Sequence, residues 1–180
     1  MRRIGFHGNN LDAVERLNAL SRRICAEKPD PEKALRMLDE TRASVQYYSF
    51  PMLLVGHFLG AGGFGLLFGC SLPDAVFAGL CGILIAFITR FTSAMKANPI
   101  FSTLAASFLM SIAAYGLNAA GLVANSDTVI IGSMMILVPG LVFTNALRDI
   151  IYGDINSGIN KCVQVLLIAG SMALGLSLIH

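Results

Sequence analysis

From Phe50 onward the chain repeats one pattern: an apolar run, a short polar break, then another apolar run. The runs cover about 51–70, 74–92, 100–118, 128–147 and 163–179. Each approaches the roughly 17–25 residues that an α-helix needs to cross a hydrocarbon core about 30 Å thick. Before Phe50 the pattern is different. Leu11, Val14, Leu17, Leu20 and Ile24 recur near helical spacing, with Arg16, Arg22 and Arg23 elsewhere on the wheel. Asp30-Pro31-Glu32 reads as a cap followed by Pro at a first helical position, opening a second short helix that carries Leu35 and Leu38. The prediction is an all-α polytopic membrane protein. A cytosolic helical hairpin (1–50) precedes a domain of five transmembrane helices (51–180), one of them broken at a Pro-Gly pair. A hairpin lying on the lipid surface is the alternative, although its acidic residues count against it. Tyr47, Tyr48 and Phe50 stand where an interfacial aromatic belt would anchor the first span.

Charge placement tests this count. Residues 1–50 hold nine of the thirteen Lys and Arg residues and seven of the eleven acids. With that block in the cytoplasm, Ser71-Leu72-Pro73 and Ala119–Asp127 become outside loops without Lys or Arg. Arg90, Lys96, Arg148 and Lys161 all return to the inside. Such asymmetry follows the positive-inside tendency and puts the N-terminus in the cytoplasm and His180 outside an inner (plasma) membrane.

Composition agrees. The chain is 55% hydrophobic and 13% charged, against about 25% charged in soluble domains. Met1-Arg2-Arg3 is followed by a stretch too short and too rich in Gly and Asn for a signal peptide's apolar core. Cys25, Cys70, Cys81 and Cys162 form no CxxC pair and read as small hydrophobes rather than as a disulfide or metal framework.

Pro139-Gly140 interrupts the fourth run. It lies about 16–18 Å along that span, near mid-bilayer. Pro removes a backbone donor and disturbs the preceding turn, and backbone groups freed in lipid persist only where protein or water satisfies them. A plain kink is one reading. The other is the interrupted helix by which secondary transporters present helix ends to solutes and ions.

The next residues are unusually polar. On a continuing helix, Asn145, Asp149, Tyr152, Asn156 and Asn160 fall near one face, with Asp154, Ser157 and Lys161 forming a second cluster. Gly153 and Gly158 are able to interrupt such a helix. Arg148 is the candidate carboxylate ligand, because its planar fork bonds two oxygens at once. Asp149 and Asp154 are candidates to carry a proton or to hold Arg148. Asn145 and Ser157 offer hydrogen bonds. The structural alternative is a helix end that reaches water. His57, inside the first span, is a secondary candidate for proton relay, against a simple interfacial role. Asp74 reads as a helix-opening carboxylate, and Asn118 and Asp127 as solvated.

The first span carries Gly56/Gly60 and Gly65/Gly69, two GxxxG pairs. They suit close helix packing, with a thin wall beside a translocation path as the other reading. No HExxH, GxxxxGK[ST] or GxSxG occurs. Enzymatic, cofactor, metal and nucleic-acid roles are therefore not expected.

The tract PGLVFTNALRDIIYGDINSG, residues 139–158, resembles the signature of the threonine/serine exporter family of ThrE/YjjP-type membrane proteins. Pro139, Gly140, Asn145, Arg148, Asp149, Gly153, Asp154, Ser157 and Gly158 follow that signature in order. The likeness extends more loosely from Leu11 to the C-terminus and includes Leu67-Phe68-Gly69 at the end of the first span. It implies proton-driven export of small polar metabolites, serine and threonine or a dicarboxylate such as succinate. It also implies work alongside a second small membrane subunit or as a homo-oligomer. Family members usually carry several dozen more residues before the position equivalent to Leu11, and a basic residue soon after the Ser-Gly. Asn160-Lys161 occupies that place here. The competing expectation is a non-transporting membrane subunit that assembles with, or regulates, a partner.

Overall fold

The computed structural model describes residues 10–45 and 48–179, which form two units, 1–49 and 50–180. Met1-Arg2-Arg3, Tyr47 and His180 lie outside the described residues. In the first unit, α1 (Leu11–Glu27) opens where the Asn10 side chain accepts the Ala13 N–H at 3.1 Å. It closes at Lys28, in the left-handed region. Arg16 pairs with Asp12, and Arg23 with Glu27, each across one turn at 2.8 Å. The Arg23 contact holds the Glu27 carboxyl below its ordinary range. Pro31 starts α2 (Pro31–Ser44), and Asp30 stands at the cap position without making a side-chain capping bond. The two helices touch, and Arg16 reaches Ser44 Oγ at 3.4 Å.

The second unit is helical throughout, and no strand occurs among the described residues. It comprises α3 (Phe50–Leu67), α4 (Leu72–Ala94), α5 (Pro99–Ala119), α6 (Ser126–Met134), α7 (Gly140–Ile151) and α8 (Ile155–Ser177). The starts are written in the sequence. Ser71 accepts the Asp74 N–H at 3.3 Å, Asn98 accepts Ile100 N–H at 3.0 Å, and Asn125 accepts Asp127 N–H at 3.0 Å. Proline stands in the first turn of α4 and α5. Four helices (α3, α4, α5 and α8) are long and apolar enough to cross a bilayer. The α6–α7 pair, bent by 55°, completes five crossings when it counts as one span. The chain is a membrane protein.

Helix α4 packs against α3, α5 and α6, α8 lies on α5, and α7 packs on α8. Ile85, Met110 and Val129 are fully buried where α4, α5 and α6 meet. Hydroxyls inside this bundle bond to their own helix backbone, as Ser111 does to Ser107 O at 2.8 Å. Phe50 is half-buried; it meets Phe87 edge to face at 5.4 Å and lies 4.6 Å from the Arg90 guanidinium.

The fifth apolar run, about 163–179, falls almost wholly on α8, which begins at Ile155. Two expectations need correction. The continuous polar helix from Asn145 to Asn160 does not exist, because α7 ends at Ile151 and the chain turns at Gly153. The close packing of α3 does not run through Gly56/Gly60. Among the described residues nothing lies within 4 Å of a Cβ placed at Gly56, and Gly60 has only Ile136 Cγ1 at 4.0 Å. Gly69 lies beyond the end of α3. Gly65 makes the approach, since a Cβ on Gly132 of α6 would stand 2.6 Å from its Cα.

Candidate functional site

The site is built around two interruptions. At the first, α6 tightens into a 3-10 turn at Met135–Leu137, and Val138 N–H donates to Met135 O at 3.3 Å. Gly140 N–H then donates to Val138 O at 2.8 Å, and Phe143 N–H reaches back to Pro139 O at 3.0 Å to start α7. The first amides of α7 therefore open a helix whose preceding residue has no N–H, and they carry its positive dipole end. The carbonyl end of α6 faces the same break.

At the second interruption α7 ends in a hydrogen-bonded reversal. Asp154 N–H donates to Asp149 O at 2.9 Å and Gly153 N–H to Ile150 O at 3.1 Å. Gly153 has φ +93°. This is the left-handed helix stop that favours glycine. Asp154 then caps α8, accepting the Ser157 N–H at 3.3 Å. Gly158 lets α8 close on α7: a Cβ there would stand 2.9 Å from Ala146 O. Ala146 itself is fully buried.

Asp149 faces α8. Its Oδ2 accepts from Ser157 Oγ at 2.9 Å and is bonded by Lys161 Nζ. Lys161–Asp149 is the one ion pair of the apolar unit among the described residues. The same signature tract thus divides by role. Asp149, Gly153, Asp154, Ser157 and Gly158 build the α7–α8 hairpin. Asn145 and Arg148 stay exposed on α7, with the Arg148 guanidinium 5.6 Å from the Tyr152 ring centroid. Asp149, expected as a carrier of protons or a holder of Arg148, engages Lys161 and Ser157.

His57 is half-buried in α3, and its Nδ1 lies 2.9 Å from Leu53 O. Among the described residues no hydrogen bond or ion pair joins it to α7 or α8. Asp74 is buried, 4% exposed, and its Oδ1 accepts the Ala124 N–H at 3.0 Å. It therefore ties the α5–α6 connection to α4 as well as standing in the first turn of α4. Asn118 donates to Val123 O at 3.1 Å across the same connection. Sequence reasoning missed the Lys161–Asp149 pair. Gly153-Asp154, read as a helix stop followed by a cap, was the signal that brings α8 back onto α7.

A family model for threonine/serine exporters matches residues 1–180. The chain belongs to the threonine/serine exporter family. A threonine/serine exporter of Corynebacterium glutamicum is 25% identical over 179 residues, 97% of this chain and 37% of that protein. The chain thus spans under two fifths of the length of that relative. No solved structure matches. Within this exporter-family chain the signature positions fall at the break in the bent span and at the hairpin after it.

Proposed function

We propose that this chain is a subunit of a secondary exporter of small carboxylate-bearing metabolites, serine and threonine foremost, with a dicarboxylate such as succinate as the other substrate class. The observation that carries the reading is the 55° interruption of an otherwise apolar span at Pro139-Gly140, with an exposed Arg148 about two turns further along α7. Backbone ends at that depth need polar company, and a moving solute with its water supplies it.

In this reading the substrate carboxylate is drawn to Arg148, which offers two parallel N–H donors. Asn145, one turn earlier on the same face, adds a hydrogen bond. The amides opening α7 favour negative charge as the solute moves deeper. Pro139 and Gly140 keep the bend, and Gly153 and Gly158 let the hairpin pivot. Asp149 and Asp154 serve proton coupling, with His57 a secondary relay. The N-terminus lies in the cytoplasm and the C-terminus outside an inner (plasma) membrane, and a second membrane subunit or further copies complete the path.

The second reading, a non-transporting subunit that assembles with or regulates a partner, is favoured by the open surface at Gly56 and Gly63, which nothing among the described residues covers. Reconstitution in liposomes separates the two. Flux of L-serine, L-threonine or succinate that Arg148→Ala abolishes supports the exporter. A stable complex without flux, alone or with the co-purifying membrane protein, supports the second reading.

A further inference from the structure

The Asp149 carboxylate is held by a primary ammonium. Lys161 brings a compact, hydrated charge with three donors on a flexible four-carbon stem, and Ser157 Oγ donates to the same oxygen at 2.9 Å. The neighbouring Arg148 has no carboxylate partner among the described residues. The turn therefore presents an open receptor for an anion beside a receptor for an ammonium that the chain itself fills. The Lys161 and Asp149 side chains are 38% and 26% exposed. A small solute can reach the pair, and an exchange of partners needs no unfolding.

We infer that Lys161 is a resident stand-in for the substrate's ammonium group. The site then recognises a zwitterionic α-amino acid by exchange, with the carboxylate on Arg148, the ammonium on Asp149, and Lys161 released to water. This rests on the exporter reading above and narrows its substrate class. The exchange balances in charge: one ammonium leaves Asp149 as another arrives, so Asp149 keeps a cationic partner throughout. A dicarboxylate fits badly. Its first carboxylate gains Arg148, but its second meets the charge of Asp149. Drawing Lys161 away to neutralise that second carboxylate strips Asp149 of its partner.

The opposite account makes Lys161–Asp149 a structural clasp between α7 and α8. The two accounts differ in the sign of one effect. The test uses the full chain with whatever membrane protein co-purifies, in proteoliposomes, measuring KM for L-serine and for succinate. Lys161→Gln removes the competitor, and the KM for L-serine is expected to fall about two- to five-fold, the range of a partly exposed ion pair. Asp149→Asn removes the receptor, and the KM for L-serine is expected to rise about tenfold or more, the size of a hydrogen bond to a charged group, while that for succinate falls. Lys161→Arg keeps the hairpin clasped and holds Asp149 with a fixed fork, so the KM for L-serine rises; this variant serves if Lys161→Gln fails to fold. Wild-type flux of L-serine with Lys161→Gln and Asp149→Asn shifting its KM in the same direction overturns the inference alone. Absence of wild-type flux of either solute overturns the exporter reading and the inference with it.

Discussion

Gly158 of α8 lies so close to α7 that a single added Cβ would stand 2.9 Å from the carbonyl oxygen of Ala146. The contact sets the α7–α8 hairpin and brings Ser157 and Lys161 to Asp149. Gly158→Ala is expected to destabilise the protein by about 1–3 kcal/mol, the usual penalty for overpacking. Gly170→Ala on the same helix is the control, because nothing lies within 4 Å of its Cβ position. Thermal unfolding in detergent checks the pair: the midpoint falls for the first and holds for the second.

The α3–α6 contact gives a second contrast. A Cβ on Gly132 would meet Gly65 Cα at 2.6 Å, whereas Gly56 faces open space. Gly132→Ala is expected to cost about 1–3 kcal/mol. Gly56→Leu is expected to stay within about 0.5 kcal/mol, as substitutions away from packed features do. If the open face of α3 meets a partner subunit, Gly56→Leu also lowers co-purification of that partner while the unfolding midpoint is kept.

Asp74 joins the first turn of α4 to the α5–α6 connection, far away in sequence. Asp74→Asn weakens a charge-assisted bond to the Ala124 N–H, with an expected cost of about 1–2 kcal/mol. Hydrogen exchange at residues 120–125 is the direct readout. It accelerates in the variant while the amides of α8 keep wild-type rates.

Much of this architecture is legible in the sequence because local chemistry writes it. Pro31 marks the start of α2, Asp74 the first turn of α4, and Pro139-Gly140 the break, since each acts within one turn. The pairings of distant residues are less legible. Gly56 and Gly60 share the spacing of a packing motif, yet which glycine meets another helix depends on how α6 crosses α3, and that places Gly132 on Gly65. The polar tract misled for a related reason. Asn145, Asp149, Tyr152, Asn156 and Asn160 keep helical spacing across a real reversal, so periodicity alone draws one helix where Gly153 and Asp154 make two. Once that turn is recognised, Ser157 and Lys161, one turn apart on α8, are carried back to Asp149. What stays illegible is depth, because hydropathy sets the length of a span and not where water enters it.

The central claim is that the break at Pro139-Gly140 meets water and solute rather than acyl chains. The most direct test places a single cysteine at Leu141, in a chain whose Cys25, Cys70, Cys81 and Cys162 are replaced by alanine, and measures its reaction with a charged, water-soluble thiol reagent in sealed vesicles. Leu166→Cys, on the exposed apolar surface of α8, is the lipid-facing reference. The account predicts that the cysteine at 141 reacts well above the reference and that L-serine slows the reaction. A cysteine at 141 as inert as the one at 166, from both sides of the membrane and with or without L-serine, would contradict it.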